Sequence, residues 1–197
     1  MANSRSEKES ENSDLYRSVL FDDSKLQLRI DEIAGELVEA YKSTRPLFVC
    51  LLRGGAPFAA RLMFAITQLD PYFHPELDYM TVRSYGDSRT ARKPEIIMNL
   101  SPHTNPTGRP AVILDDVYDT GVTAIFTANE LKNRGATEVS TYVLIKKHKI
   151  QAEFPGKFVY GFDAPAGWLT GMGLDDVRIA PEANRWGSYI ALANEED

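Results

Sequence analysis

Two uninterrupted apolar runs constrain how this chain can fold more than anything else in it. They are LFVCLL at 47–52 and AVIL at 111–114, the second closed by Asp115 and Asp116. A strand with one wet face alternates apolar and polar residues; a continuous run marks a strand buried on both faces. Such strands occur in parallel sheets covered by helices on either side. Elsewhere the periodicity changes to that of a helix. Leu26, Ile30, Ile33, Leu37 and Tyr41 predict an amphipathic helix over 24–42, with Ser24 and Gln27 as a capping box and Arg45-Pro46 as its stop. An Ala-rich helix is expected at 56–68, and a third at 122–134, closed by Gly135. Further strands are read at 77–82, 95–100, 139–145 and 157–162, with a polar, basic loop over 84–94. Strands alternating with helices imply one α/β domain with a mainly parallel sheet.

The chain has 197 residues, a length suited to a single domain. Residues 1–14, rich in charge and serine, read as a disordered arm, which leaves 15–197 as the domain. The net charge of −6 excludes a general nucleic-acid or anionic-membrane binder, which needs a basic face. One cysteine, Cys50, cannot form an intramolecular disulfide, and with three histidines it does not supply a zinc cluster. No apolar run approaches the roughly 20 residues of a membrane span, and the N-terminus lacks a signal peptide's apolar core. A cytoplasmic protein is the expectation.

In open α/β sheets ligands bind beyond the carboxyl ends of the strands. Three such ends carry unusual chemistry: Arg53-Gly54-Gly55, Asp115 through Thr123, and Lys146-Lys147. The stretch VILDDVYDTGVTA is the most informative. Asp119-Thr120-Gly121-Val122-Thr123 opens a helix, whose first-turn N–H groups are unpaired and sit at the positive end of its dipole. Gly121 permits close approach, and Thr120 and Thr123 add hydroxyl donors. Asp115 and Asp116 are acceptors suited to the 2′ and 3′ hydroxyls of a ribose. Phosphate donors beside diol acceptors describe a ribose 5-phosphate site. P-loop NTPases also place acids after an apolar strand, but they need GxxxxGK[ST], which this sequence does not contain. Response regulators place their acidic pair near the N-terminus, an order not found here.

This string resembles the 5-phosphoribosyl-1-diphosphate (PRPP) signature of type I phosphoribosyltransferases: an apolar strand, two acids, two residues, then D-T/S-G-x-T. Within that superfamily the chain is similar to the hypoxanthine-guanine phosphoribosyltransferases, from about residue 18 to 162. The resemblance implies the type I fold with a small hood formed by the chain ends. It implies purine salvage: transfer of 5-phosphoribosyl from PRPP to a 6-oxopurine, with Mg²⁺ on the leaving diphosphate. LLRGG (51–55) resembles the family's pyrophosphate loop, with Arg53 where a lysine is usual, Gly54 beside it, and a cis Leu52–Arg53 peptide. Ser84-Tyr85 matches the opening of the catalytic flexible loop, in which Arg89, Arg92 and Lys93 follow. Lys146 matches the lysine that donates to the 6-oxo group. KFVYGF (157–162) resembles a K-F-V-V-G-Y segment, so that Phe158 stacks on the purine and Val159 meets it through its backbone. Asp119 falls at the position near N7 of the base, as general acid/base or charge stabiliser.

Beyond Gly161 the pattern departs from the family. Pro165 and Met172 fall where an acid and an arginine are expected, and Asp163 is the candidate metal-facing acid, with Asp115 and Asp116 reaching the ion through water. Trp168 and Trp186 are unassigned. Family members are commonly homodimers or homotetramers. Two other readings remain open: a phosphoribosyltransferase for another base, such as xanthine or a pyrimidine, and a PRPP-binding regulator without turnover.

Overall fold

The computed structural model describes residues 16–85, 93–148 and 152–194. The arm at 1–14 therefore lies outside the described residues, as do loop positions 86–92 with Arg89 and Arg92, and so do the side chains of Ser84, Tyr85 and Lys93. In chain order the elements are β1 (Ser18–Phe21), α1 (Asp23–Tyr41), β2 (Leu47–Leu51), α2 (Gly55–Leu69), β3 (Glu76–Tyr85), β4 (Lys93–Met98), β5 (Pro110–Tyr118), α3 (Val122–Asn133), β6 (Glu138–Lys147), β7 (Phe158–Ala164), β8 (Leu169–Thr170) and β9 (Ile190–Leu192).

Six strands form one sheet in the order β4-β3-β2-β5-β6-β7. All neighbours are parallel except β3 and β4, which return antiparallel on each other. The strand order reverses direction between β2 and β5, so the crevice beyond their carboxyl ends is the topological switch point where such sheets bind ligands. The residues of β2 are buried throughout, which is why LFVCL carries no polar side chain. One face of the sheet is covered by α1 and α2, whose Leu26, Ile30, Ile33, Leu37, Phe58, Leu62 and Ile66 pack with Phe48, Val112 and Leu114. The other face is covered by α3, whose Ala124, Ala128 and Leu131 meet Val49, Ile113 and Val143.

Helix α1 begins one residue before the expected box. Its cap is Asp22, whose Oδ1 accepts from the Lys25 N–H at 2.9 Å, while Gln27 bonds Asp31 instead of reaching back. An aspartate already in place as N-cap leaves Ser24 inside the first turn. Strand β5 also outruns its expected end. Its ladder continues as Val117↔Ile145 and Tyr118↔Lys146, so the acids, expected to close the strand at 116, lie inside it.

The chain ends build a second, three-stranded antiparallel sheet, β1-β9-β8. Arg61 of α2 ties the helical layer to it, pairing with Asp23 at 2.7 Å and donating to Ser188 at 3.0 Å. This hood stands over the same strand ends that carry the candidate site residues. Among the described residues no helix is long and apolar enough to cross a membrane.

Candidate active site

The loop from β5 into α3 surrounds a cavity of about 200 Å³, lined by Asp115, Val117, Tyr118, Asp119, Thr120, Gly121, Thr123 and Ala124. Gly121 is the N-cap of α3 and takes φ +84°, a left-handed conformation that favours glycine. A Cβ there would also stand 2.7 Å from the Ala152 carbonyl, the acceptor of the Tyr118 hydroxyl at 2.8 Å. The glycine cap makes no side-chain hydrogen bond; Thr120 Oγ1 accepts from the Val122 N–H at 3.4 Å, and helix geometry directs the other first-turn N–H groups at the cavity. All five residues from Asp119 to Thr123 thus lie at one helix N-terminus, as the sequence implied.

Asp115 and Asp116 are adjacent acids in a confined space. Burial, then the charge of Asp116, holds the Asp115 carboxyl well above the usual carboxylate range. Asp116 is also raised by burial, with its bonds to Asp115 and to backbone N–H groups and the positive field of Arg185 pulling the other way. Gly54 packs directly on the Asp116 carboxylate, so that any Cβ at position 54 would occupy its space. The Leu52–Arg53 peptide is cis, as the resemblance implied. Leu52 N–H donates to Met80 O at 2.8 Å and Ala56 N–H to Arg53 O at 3.2 Å, which anchor the loop between β3 and α2.

At the ends of β6 and β7 the two lysines diverge. Lys146 Nζ pairs with Asp163 Oδ1 at 2.7 Å and lies 4.1 Å from the centre of the Tyr160 ring. Lys147 Nζ stands 3.8 Å from Asp119 Oδ2, a contact that sequence reading missed although the residue is next in line. Asp163 is therefore not brought to the Asp115–Asp116 pair. It sits two strands away on β7, level with Lys146 and Tyr118, and its carboxylate is engaged by the lysine. Phe158 is not at the strand ends either. It lies level with Thr141, five residues below Asp163, and its ring packs against Tyr118 at 4.6 Å and Tyr160 at 5.7 Å. Val159 pairs with Tyr142 in the same ladder, and the neighbouring carbonyls of Tyr160 and Gly161 accept from Arg29 of α1. Phe158 and Val159 are thus built into the main sheet, and Phe158 lines a second cavity of about 300 Å³ with Tyr118, Lys146 and Tyr160 instead of the one at the head of α3.

The hood supplies residues that sequence reading left unassigned. Gly173, at φ +108°, is packed on the Gly54 backbone. Arg185, only 6% exposed, donates to Gly173 O, pairs with Asp175 Oδ2 at 2.6 Å, and donates from Nε to Glu182 Oε2 at 2.5 Å. Trp168 precedes β8, is 44% exposed, and donates from its indole to Asp175 O at 3.1 Å. A signal was present. Beyond β6 the chain twice places an aromatic residue three before a glycine, at Phe158/Gly161 and at Trp168/Gly171. Only the second has an acid four residues after its glycine, Asp175. The first copy lies in the main sheet and the second in the hood, beside the pyrophosphate-loop candidate.

A parallel sheet with a reversal at β2/β5, a glycine-capped helix under an acidic pair, and a hood of chain ends define a nucleotide-type phosphate enzyme fold. Comparison with known proteins agrees. The phosphoribosyl transferase domain family matches residues 18–176, and the chain belongs to that family. The match extends past Gly161, so the resemblance does not end where the first register fails. The chain is 32% identical over 158 residues to the hypoxanthine-guanine phosphoribosyltransferase of Bacillus subtilis, covering 80% of this chain and 84% of that protein. It is 30% identical over 185 residues to the protein of that name from Streptococcus thermophilus, covering 91% and 94%. A crystal structure of a hypoxanthine phosphoribosyltransferase from Staphylococcus aureus superposes with a TM-score of 0.81 at 24% identity, covering 94% of this chain and 95% of that one, a likeness of fold.

Proposed function

We propose that the protein transfers the 5-phosphoribosyl group of PRPP to a 6-oxopurine, giving the nucleoside 5′-monophosphate and diphosphate. The observation that carries this reading is the Asp115–Thr123 loop. It joins a left-handed glycine cap, first-turn donors and Asp115 around one cavity at the sheet's switch point, with Asp116 beside the Gly54 loop. The 5-phosphate takes the N-terminus of α3, where backbone N–H groups, Thr120 and Thr123 donate. The ribose hydroxyls donate to Asp115 and Asp116. Burial holds both acids above their usual range, and the charge of Asp116 adds to this at Asp115, so hydroxyl donors and a cation are partners that suit them.

The residues present fit Mg²⁺ in the way this ion is commonly held, by substrate oxygens and one or two carboxylates. Among the described residues no group of three or more metal-ligating side chains converges. Asp175 is the carboxylate that would hold it directly, with Asp115 and Asp116 reaching it through water, and when bound with PRPP it would neutralise charge on the departing diphosphate. The chain's own residues do the rest. The Gly54 loop receives the diphosphate, with Arg53 and Arg185 as the cations facing it. Trp168 takes the stacking role first assigned to Phe158, since it sits in the hood at the register whose acid is Asp175. The purine nitrogen attacks C1 of the ribose as the bond to diphosphate breaks, and the positive charge spreads over the ring oxygen and C1. Asp119, at the cavity and 53% exposed, stabilises charge on the base or takes its proton. Lys146 has three donors and gives one to Asp163, which leaves it able to donate to an oxo group.

Diphosphate release measured with hypoxanthine, guanine, xanthine, adenine and the pyrimidine uracil tests the reading. Turnover with a 6-oxopurine and rejection of adenine is the expected result, because a lysine facing an amino donor is left unmatched. Release with a pyrimidine alone, or with none of the panel despite PRPP binding, overturns it.

A further inference from the structure

Glu182 lies in the hood between β8 and β9 and adopts φ +68°, a left-handed conformation that a glutamate occupies only when its surroundings hold it there. Two arginines hold it. Its Oε2 accepts from Arg185 Nε at 2.5 Å. Its Oε1 is buried and stands 2.5 Å from Arg53 Nη1, in a charge contact that lacks hydrogen-bond alignment. Arg53 is the pyrophosphate-loop position at which the family commonly has a lysine, and its side chain is 71% exposed. Arg185 is committed to the hood by Gly173 O and Asp175. One carboxylate is thus clamped between the two guanidinium groups that face the loop.

We propose that Glu182 is a built-in competitor of the substrate's diphosphate: it occupies the positive seat over the Gly54 loop and must yield Arg53 before PRPP binds or after diphosphate leaves. This rests on the PRPP reading of the site. Guanidinium groups pair with carboxylate and with phosphate through the same planar fork, so one anion can replace the other. The Arg53 contact is the one to break, since it is misaligned and its guanidinium belongs to a mostly exposed side chain, whereas the Arg185 contact is aligned and made by a buried arginine. The competent state is the fraction with Arg53 released, and apparent affinity falls by that fraction. A glutamate here weakens PRPP binding, and it speeds product release by refilling the seat. Arginine in place of lysine is what makes the clamp possible, because its longer fork can reach across to the hood.

The test is calorimetry of the full chain with Mg²⁺ and inorganic diphosphate, and separately with PRPP, comparing wild type with Glu182→Gln. The amide keeps shape and backbone while removing the competing charge. Affinity for diphosphate should rise about fivefold or more, and KM for PRPP should fall with it. Hydrogen exchange in the wild type gives a second readout that needs no variant: amides of 182–187 should exchange faster once diphosphate is bound, as the clamp opens. Unchanged or weaker diphosphate affinity in Glu182→Gln, or slower exchange at 182–187 on binding, overturns the competitor role. Wild-type protein with no affinity for either probe overturns the PRPP reading with it.

Discussion

Asp115 carries the sharpest conflict between stability and function at the scale of single residues. Its carboxyl is pushed up by burial and by Asp116, so the folded protein binds a proton that the unfolded chain releases near the ordinary carboxylate range. The sign follows from linkage. A raised folded pKa means that this group favours folding below the unfolded value and that the benefit is lost as pH rises through the folded value. Asp115→Asn removes the penalty while keeping the acceptor for the Asp116 N–H. The unliganded variant should melt higher than wild type at neutral pH, with the gap closing toward pH 4, and it should bind PRPP more weakly. Differential scanning fluorimetry across pH checks the first and calorimetry the second; equal melting curves at all pH values would reject the assignment. Asp119 differs, being exposed and only loosely paired with Lys147. Asp119→Asn should leave melting unchanged and lower kcat by about 10²–10⁴ if it moves a proton. A change confined to KM would make it a binding group. Both aspartates were legible from the sequence because the string fixes their spacing to Gly121. The Lys147 contact was not, because which of two adjacent lysines turns toward a loop depends on the sheet's local twist.

At the scale of elements, the question is which of two similar segments forms the base platform. FVYGF and WLTGM both place an aromatic residue three before a glycine, and the family resemblance rests on the first alone, as KFVYGF, and leaves Trp168 unassigned. What distinguishes them is which sheet each joins. Strand β7 pairs in parallel with β6 and fills the edge of the core, whereas β8 pairs with β9, a partner about twenty residues downstream that no local pattern reveals. The same limit explains the other elements. Helices α1, α2 and α3 and strand β2 were readable because their signals are local: period, run length and a glycine stop. The hood strands were not, because each is short and its pairing is not local: β1 pairs with β9 from the other end of the chain, and β8 pairs with β9 across a long connection. A pair of variants separates the registers. Phe158→Ala removes a ring packed between Tyr118 and Tyr160, and should destabilise by about 2–4 kcal/mol while leaving KM for the purine near wild type. Trp168→Ala, at a 44% exposed site, should cost little stability and raise purine KM by tenfold or more. Steady-state kinetics and denaturant melts on both decide it, and the opposite assignment of effects would return the platform to β7.

The whole molecule is a mainly parallel sheet with a hood packed onto it: Leu169, Met172 and Ile190 share the core under α1 and α2, Phe21 stacks on Phe162, and polar ties add to this packing. Arg61 links α2 to Ser188 and to Asp23, and Arg53 reaches Glu182. Gly173 also lies on Gly54, where two glycine backbones meet without side chains between them. That contact transmits position from the hood to the pyrophosphate loop, because Gly54 is itself packed on the Asp116 carboxylate. Hood, loop and acidic pair therefore form a continuous stack whose spacing depends on three groups with no room to give. Gly173→Ala tests whether this spacing matters to the reaction. The new methyl would meet the Gly54 backbone, and alanine at φ +108° is strained as well. The main sheet and its three helices do not depend on position 173, so far-UV circular dichroism should be unchanged and the melting temperature lowered by only a few degrees. The hood should sit higher and the stack should open. KM for PRPP is then expected to rise by an order of magnitude or more, with a larger loss in kcat, since misplacing reacting groups by about 1 Å costs roughly 10²-fold. A Gly173→Ala variant with wild-type kinetics would mean that the hood covers the site without positioning the loop beneath it.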